Sequence, residues 1–111
     1  MRNACFTLAA LAILLASPIA SAEEVVNLTL KDHRFTPNQV TVPAGQRFRI
    51  MLQNQDSTSA ELESHDMKFE KVVVGGGSIS VFAGPLKPGT YKFYDEFHEK
   101  TATGTVTAVP K

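Results

Sequence analysis

Apolar residues in this chain return at every second position, in runs too short for anything but strands. Val26, Leu28 and Leu30 alternate with Asn27 and Thr29, and Phe48, Ile50 and Leu52 alternate with Arg47, Arg49 and Gln53. Val40 and Val42 flank Thr41, Tyr91 and Phe93 flank Lys92, and Val106 stands between Thr105 and Thr107. An extended backbone sends successive side chains to opposite faces, so this period makes half-buried strands. No window carries the stripe of an amphipathic helix. Turn chemistry separates the runs: Thr36-Pro37-Asn38, Pro43-Ala44-Gly45, Gly75-Gly76-Gly77-Ser78 and Lys87-Pro88-Gly89-Thr90 offer the preset proline torsion and the permissive glycine that sharp reversals need. About seven short strands punctuated in this way predict an all-β Greek-key sandwich or barrel. Val72-Val73-Val74 reads as a further strand, a continuous apolar run of the kind buried on both faces.

The first residues follow another grammar. Met1 to Ala22 opens with Arg2, continues in an apolar run from Leu8 to Ala16, and ends in the small residues Ala20 and Ala22 ahead of Glu23-Glu24. That order is a secretory signal peptide, with an apolar run too short to span a bilayer. Residues 1–22 are expected to be cut away, leaving 23–111 as one domain with a modest core, located in the periplasm and not inserted in a membrane. The single cysteine, Cys5, leaves with the peptide, so the mature domain has no disulfide and no thiol. Without Arg2 the 11 basic residues fall one short of the 11 acidic ones. Such a balance gives no electrostatic case for nucleic acid or an anionic membrane surface.

Chemistry concentrates where the aromatic strand Tyr91-Lys92-Phe93-Tyr94 runs into Asp95-Glu96-Phe97-His98. Asp95 is in register with Tyr91 and Phe93, on the core side of a regular strand, where a carboxylate needs a cation or hydrogen-bond donors. With no thiolate at hand, any metal here is held by oxygen and nitrogen. His98 is the strongest single ligand candidate, and Phe97 between it and Asp95 would shield an ion from water. Glu61 and Glu63 share one face of an extended segment with Leu62 on the other, and either could serve as a ligand or as a charged rim. His33 stands in a polar corner between Asp32 and Arg34. His65 and Met67 share a strand face and could capture copper(I), although an exposed imidazole and a core-filling methionine are the simpler fates. Ser57, Ser59 and Ser64 lack a nucleophile elbow, and Gly75-Gly76-Gly77-Ser78 lacks the lysine and following helix of a phosphate loop, so it reads as a flexible hairpin.

Phe35-Thr36-Pro37, Val40-Thr41-Val42-Pro43-Ala44-Gly45, Asn54-Gln55-Asp56, and Pro88-Gly89-Thr90-Tyr91-Lys92-Phe93-Tyr94 with His98 and Gly104 together give a resemblance to the cupredoxins over essentially the whole mature chain. Carried over position by position, the family's first copper histidine falls near Glu61 or Glu63, its cysteine on Asp95, its second histidine on His98 and its methionine on or beside Ala102. One of four ligands is kept, so the resemblance excludes a type 1 blue-copper electron carrier. The string Ala60-Glu61-Leu62-Glu63-Ser64 with Asp95-Glu96-Phe97-His98-Glu99 resembles a cysteine-less periplasmic subgroup associated with bacterial iron-permease uptake systems. That likeness implies binding of iron and/or copper by Asp95, His98, Glu61 or Glu63, and His33. It further implies an inner-membrane iron permease and other periplasmic uptake components as partners, and a ferroxidase-like assistance to oxidation of iron(II) before transport. The domain is expected to be a monomer. The alternative is a metal-free cupredoxin-fold interaction module that docks on a membrane transport partner through the 95–99 loop.

Overall fold

The computed structural model describes residues 23–110; the expected signal peptide, Cys5 included, lies outside the described residues. Nine strands follow in chain order: β1 (Glu24–Lys31), β2 (Arg34–Thr36), β3 (Gln39–Pro43), β4 (Phe48–Asn54), β5 (Ala60–Ser64), β6 (Phe69–Val73), β7 (Ser78–Ala83), β8 (Gly89–Asp95) and β9 (Thr103–Val109). One 3₁₀ turn, Glu96–His98, joins β8 to the loop before β9. The strands form two sheets, ordered β2-β1-β4-β7 and β3-β9-β8-β5-β6. The expected all-β sandwich is therefore present, with nine strands in place of about seven. The extra count comes from pieces without a clear period, such as the three-residue β2 and β7, in which Phe82 faces outward among Val81 and Ala83.

Both sheets are mixed. β1 runs parallel to β4 and β3 parallel to β9, and every other pairing is antiparallel. Alternating side chains from the two inner faces make the core: Leu28 and Leu30 from β1, Ile50 and Leu52 from β4, Leu62 from β5, Phe93 from β8 and Val106 from β9. Phe35 meets Phe93 edge to face, with centroids 5.1 Å apart, a favoured aromatic geometry. Val72-Val73-Val74 departs from its expected double burial. Val73 enters the core, whereas Val72 and Val74 are 51% and 63% exposed, because β6 is the outer strand of its sheet and presents one face to solvent.

The triple-glycine segment also differs from the flexible hairpin expected of it. It carries the chain from β6 in one sheet to β7 in the other, and Gly75 lies so close to Ser57 that a Cβ there would stand 2.2 Å from the Ser57 carbonyl oxygen. Only a residue without a side chain fits that corner. Gly104 is under the same constraint. It pairs with Phe93, and a Cβ would meet the Phe93 ring at 2.3 Å and the Asn38 carbonyl oxygen at 2.6 Å. Gly104→Ala is expected to destabilise the domain by about 1–3 kcal/mol through overpacking, read as a lower urea midpoint at unchanged slope.

Asn54, at the end of β4, ties the loop that follows it. Its side-chain amide donates to the Thr58 carbonyl at 2.9 Å and to the Val74 carbonyl at 3.2 Å, and its side-chain oxygen accepts from the Asp56 amide at 3.0 Å. Buried polar groups persist when fully bonded in this way. The consequence is positional: Asp56 is fixed beside the corner between β1 and β2, where His33 stands.

Candidate metal centre

β8 delivers Asp95 to the end of the sandwich with no solvent exposure. Its carboxylate is met by donors. Oδ1 accepts from the backbone amides of Glu61 and Phe97, each at 3.0 Å, and Oδ2 faces His98 Nδ1 at 2.9 Å. Because a carboxylate oxygen accepts, Nδ1 of His98 is the donor and Nε2 is the nitrogen left for another partner. The loop closes behind this group, since the Asp95 amide donates to the Ala102 carbonyl and the Ala102 amide to the His98 carbonyl.

His33 reaches the same place from the other side. Asp32 and His33 turn the chain with φ of 51° and 56°, and Asp56 accepts from both of their amides, at 2.7 and 3.0 Å. Those amides, that of His33 foremost, hold the Asp56 carboxyl below its usual range against the opposing effect of burial. Asp56 Oδ2 also lies 3.5 Å from His33 Nδ1. The His33 ring stacks on that of His98, with centroids 3.7 Å apart and planes 14° from parallel. His33, Asp95 and His98 thus bring ligand-type atoms within 4.8 Å of one another.

A second group forms apart from the first. Glu61 and Glu63 leave β5, Glu70 leaves β6 directly opposite Glu63, and Glu96 opens the 3₁₀ turn. Their carboxylate oxygens lie within 4.8 Å of one another. Glu63 is only 8% exposed, and among the described residues its one ion-pair partner within reach is His65, whose Nε2 lies 3.8 Å away. Hydrogen bonding with Glu96, then burial, then the Glu96 charge push the Glu63 carboxyl up to about 7. Burial first, then Glu96, raise Glu61 as well, while Glu96 is held below its usual range as the acceptor of the shared proton.

The sequence places Asp95, His98, His33 and one of Glu61 or Glu63 around a single point. The structure divides them. Asp95, His98 and His33 stand together, and Glu61 and Glu63, both rather than one, stand with Glu70 and Glu96. Pleating explains the division. Leu62 pairs with Asp95 across β5 and β8, and both are buried, so Glu61 and Glu63 leave the opposite face. The backbone of Glu61 touches Asp95, and its side chain belongs to the other group. Sequence reasoning missed Glu70, Glu96 and Asp56 as members of these groups. Glu70 becomes visible only through the β5–β6 register, whereas Asp56, two residues after a strand-ending asparagine, carries a turn signal that could have flagged it.

The shared strand face of His65 and Met67 is corrected, while the simpler fates expected of them hold: β5 ends at Ser64, whose hydroxyl accepts from the Met67 amide, and the resulting turn buries Met67 in the core while His65 stays 79% exposed. Phe97 does not bury itself over its neighbours and is 52% exposed. Residues 23–110 hold no cysteine, Asp95 fills the position the resemblance gives to thiolate, and Ala102, where it gives methionine, is fully buried. A type 1 copper centre has no sulfur anchor here.

Comparison with known proteins agrees with this architecture. A family model described as cupredoxin-like domain matches residues 4–108. Uncharacterized protein RP394 of Rickettsia prowazekii (strain Madrid E) is 44% identical over 81 residues, which cover 73% of this chain and 65% of that protein, so the match spans just under two thirds of the relative's length. Auracyanin A, a "blue" copper protein from Chloroflexus aurantiacus, superposes with a TM-score of 0.69 at 14% identity, covering 79% of this chain and 100% of its own. The purple cupredoxin of Nitrosopumilus maritimus gives 0.59 at 19% identity, covering 76% of this chain and 99% of its own. At such identities the two structures share the fold with this chain and speak to nothing finer. With the matched region taking in both sheets described above, the chain belongs to the cupredoxin-like domain family.

Proposed function

We propose that the chain is a periplasmic metal-binding protein of an iron-uptake system, holding iron between Glu61, Glu63, Glu70 and Glu96 and handing it to an inner-membrane permease. The observation that carries this reading is the geometry of Glu63, 8% exposed and crowded by three further carboxylates within 4.8 Å, an environment that pushes its carboxyl up to about 7. Such a group is electrostatically unsatisfied, and a multivalent cation relieves it. Anionic oxygens interact more strongly with iron(III) than with iron(II), so the same shell would lower the reduction potential of bound iron and favour transfer of its electron to dioxygen before transport.

Copper is a second reading for the other group, favoured by two imidazoles whose Nδ1 atoms face carboxylates and whose Nε2 atoms are left over. An imidazole donates in its own plane, so an ion shared by the stacked rings requires one of them to turn out of the stack. Asp95, already engaged by three donors, acts there as the positioner of His98.

Calorimetric titration of the purified protein with iron(II) under anaerobic conditions, and with copper(II), separates these readings. The expected result is about one iron per chain, lost in Glu63→Gln/Glu96→Gln and kept in His33→Ala/His98→Ala. Removing crowded negative charge should not unfold the domain, which circular dichroism checks. Copper binding lost only in the histidine variant supports the second reading. No metal bound more tightly than about a millimolar dissociation constant overturns both and leaves a docking module in their place.

A further inference from the structure

Resting on the acidic group as the iron site, we propose that His65 is its nitrogen ligand, and that this imidazole makes the site selective for transition-metal ions over calcium and magnesium. Four carboxylates alone form an oxygen-only site, which suits calcium and magnesium as well as iron. An imidazole changes that preference, because nitrogen is a borderline donor that the hard alkaline-earth ions value little.

Three observations place His65 for the task. Its Nε2 lies 3.8 Å from Glu63 Oε1. That gap is too long for a hydrogen bond and slightly wider than the separation of about 3.0–3.4 Å between two atoms bound to one ion at about 2.1 Å, so a small swing of the ring brings it to ligand spacing. Glu63 itself is 8% exposed, and His65 is the one basic side chain among the described residues within 4 Å of its carboxylate. The base of His65 is fixed while its ring is free. The Ser64 hydroxyl donates to the Lys92 carbonyl at 2.7 Å and accepts from the Met67 amide at 2.9 Å, pinning the turn to β8. The imidazole beyond it is 79% exposed and tilts against Tyr94, with centroids 5.8 Å apart. A tethered ring can swing toward an arriving ion at little cost in order.

The test compares the full mature protein with His65→Ala, using cobalt(II) and calcium as probes in competition titrations. The His65 ring is exposed, so the substitution leaves the fold intact. Cobalt(II) affinity is expected to fall about 10–100-fold, with calcium affinity unchanged. In a His33→Ala/His98→Ala background loaded with copper(II), pulsed electron paramagnetic resonance is expected to show imidazole nitrogen coupling that disappears when His65 is also replaced. Equal losses for cobalt(II) and calcium, or a nitrogen signal that survives the His65 substitution, would overturn the assignment while leaving the acidic site standing. A protein that binds neither probe overturns the acidic site as well.

Discussion

Replacing Asp95 with alanine is expected to destabilise the domain by about 3–5 kcal/mol, the loss that follows when one partner is taken from a buried, charge-assisted group. Asp95 has no exposure and receives three donors, the amides of Glu61 and Phe97 and the imidazole of His98. Alanine leaves all three without their acceptor, and water cannot refill the site without opening the end of the sandwich. The 3₁₀ turn loses its cap in the same stroke, because Oδ1 is the acceptor of the Phe97 amide. Glu96 opens that turn, so iron affinity should fall together with stability. Asparagine is the informative companion. It keeps an oxygen for the two amides and obliges His98 to accept at Nδ1, so Asp95→Asn should cost about 1–2 kcal/mol. Urea unfolding at constant slope measures both. An Asp95→Ala protein within about 1 kcal/mol of the parent would show that the three bonds contribute little net stability.

Iron affinity is expected to rise about tenfold per pH unit as solution pH climbs from about 5 to 7, since binding must displace the proton that Glu63 retains to about pH 7. Empty protein should behave in the opposite sense. With its carboxyl raised from 4.5 to about 7, Glu63 binds more protons folded than unfolded between those values. Stability from this group is therefore full below about pH 4.5 and is lost as pH rises through about 7. Glu61, raised for the same reasons, adds to the trend. Glu96, held below its ordinary value of 4.5, contributes stability that is lost only as pH falls below that value, outside the window. Melting temperatures across the window should fall for the empty protein and rise for the iron-loaded one. In Glu96→Gln the first slope should flatten, because the hydrogen bond to the Glu96 carboxylate, and then its repelling charge, are gone. An affinity that is flat from pH 5 to 7 would mean that the acids do not bind the ion as carboxylates, and the proposed site would fail with it.

The sandwich was legible because half-buried strands write their period into the chain. Val26 to Leu30 and Phe48 to Leu52 are buried as their alternation requires. Parallel pairing of β1 with β4 and of β3 with β9 left no such trace, since a strand's period is the same whichever way its neighbour runs. Asp95 was correctly aimed inward from its register with Phe93. Whether a cation or donors would satisfy it could not be read, because the Glu61 amide that meets it lies thirty-four residues away in sequence. Glu61 and Glu63 share one face as their spacing requires, but a linear reading does not separate them from Asp95 and His98, because it cannot tell which side of β5 meets the end of the sandwich. Glu70 was invisible for the same reason, its place beside Glu63 being a property of the β5–β6 register.

The way Asp95 is bonded has a temporal consequence. Each of its oxygens is met by the chain's own amides or imidazole, so the polypeptide alone holds this end of the molecule together. Collapse of the polypeptide then does not wait on a mineral partner, and an ion bound as proposed would be selected afterwards, by supply and competition in the surroundings rather than by whatever was present when the chain first became compact.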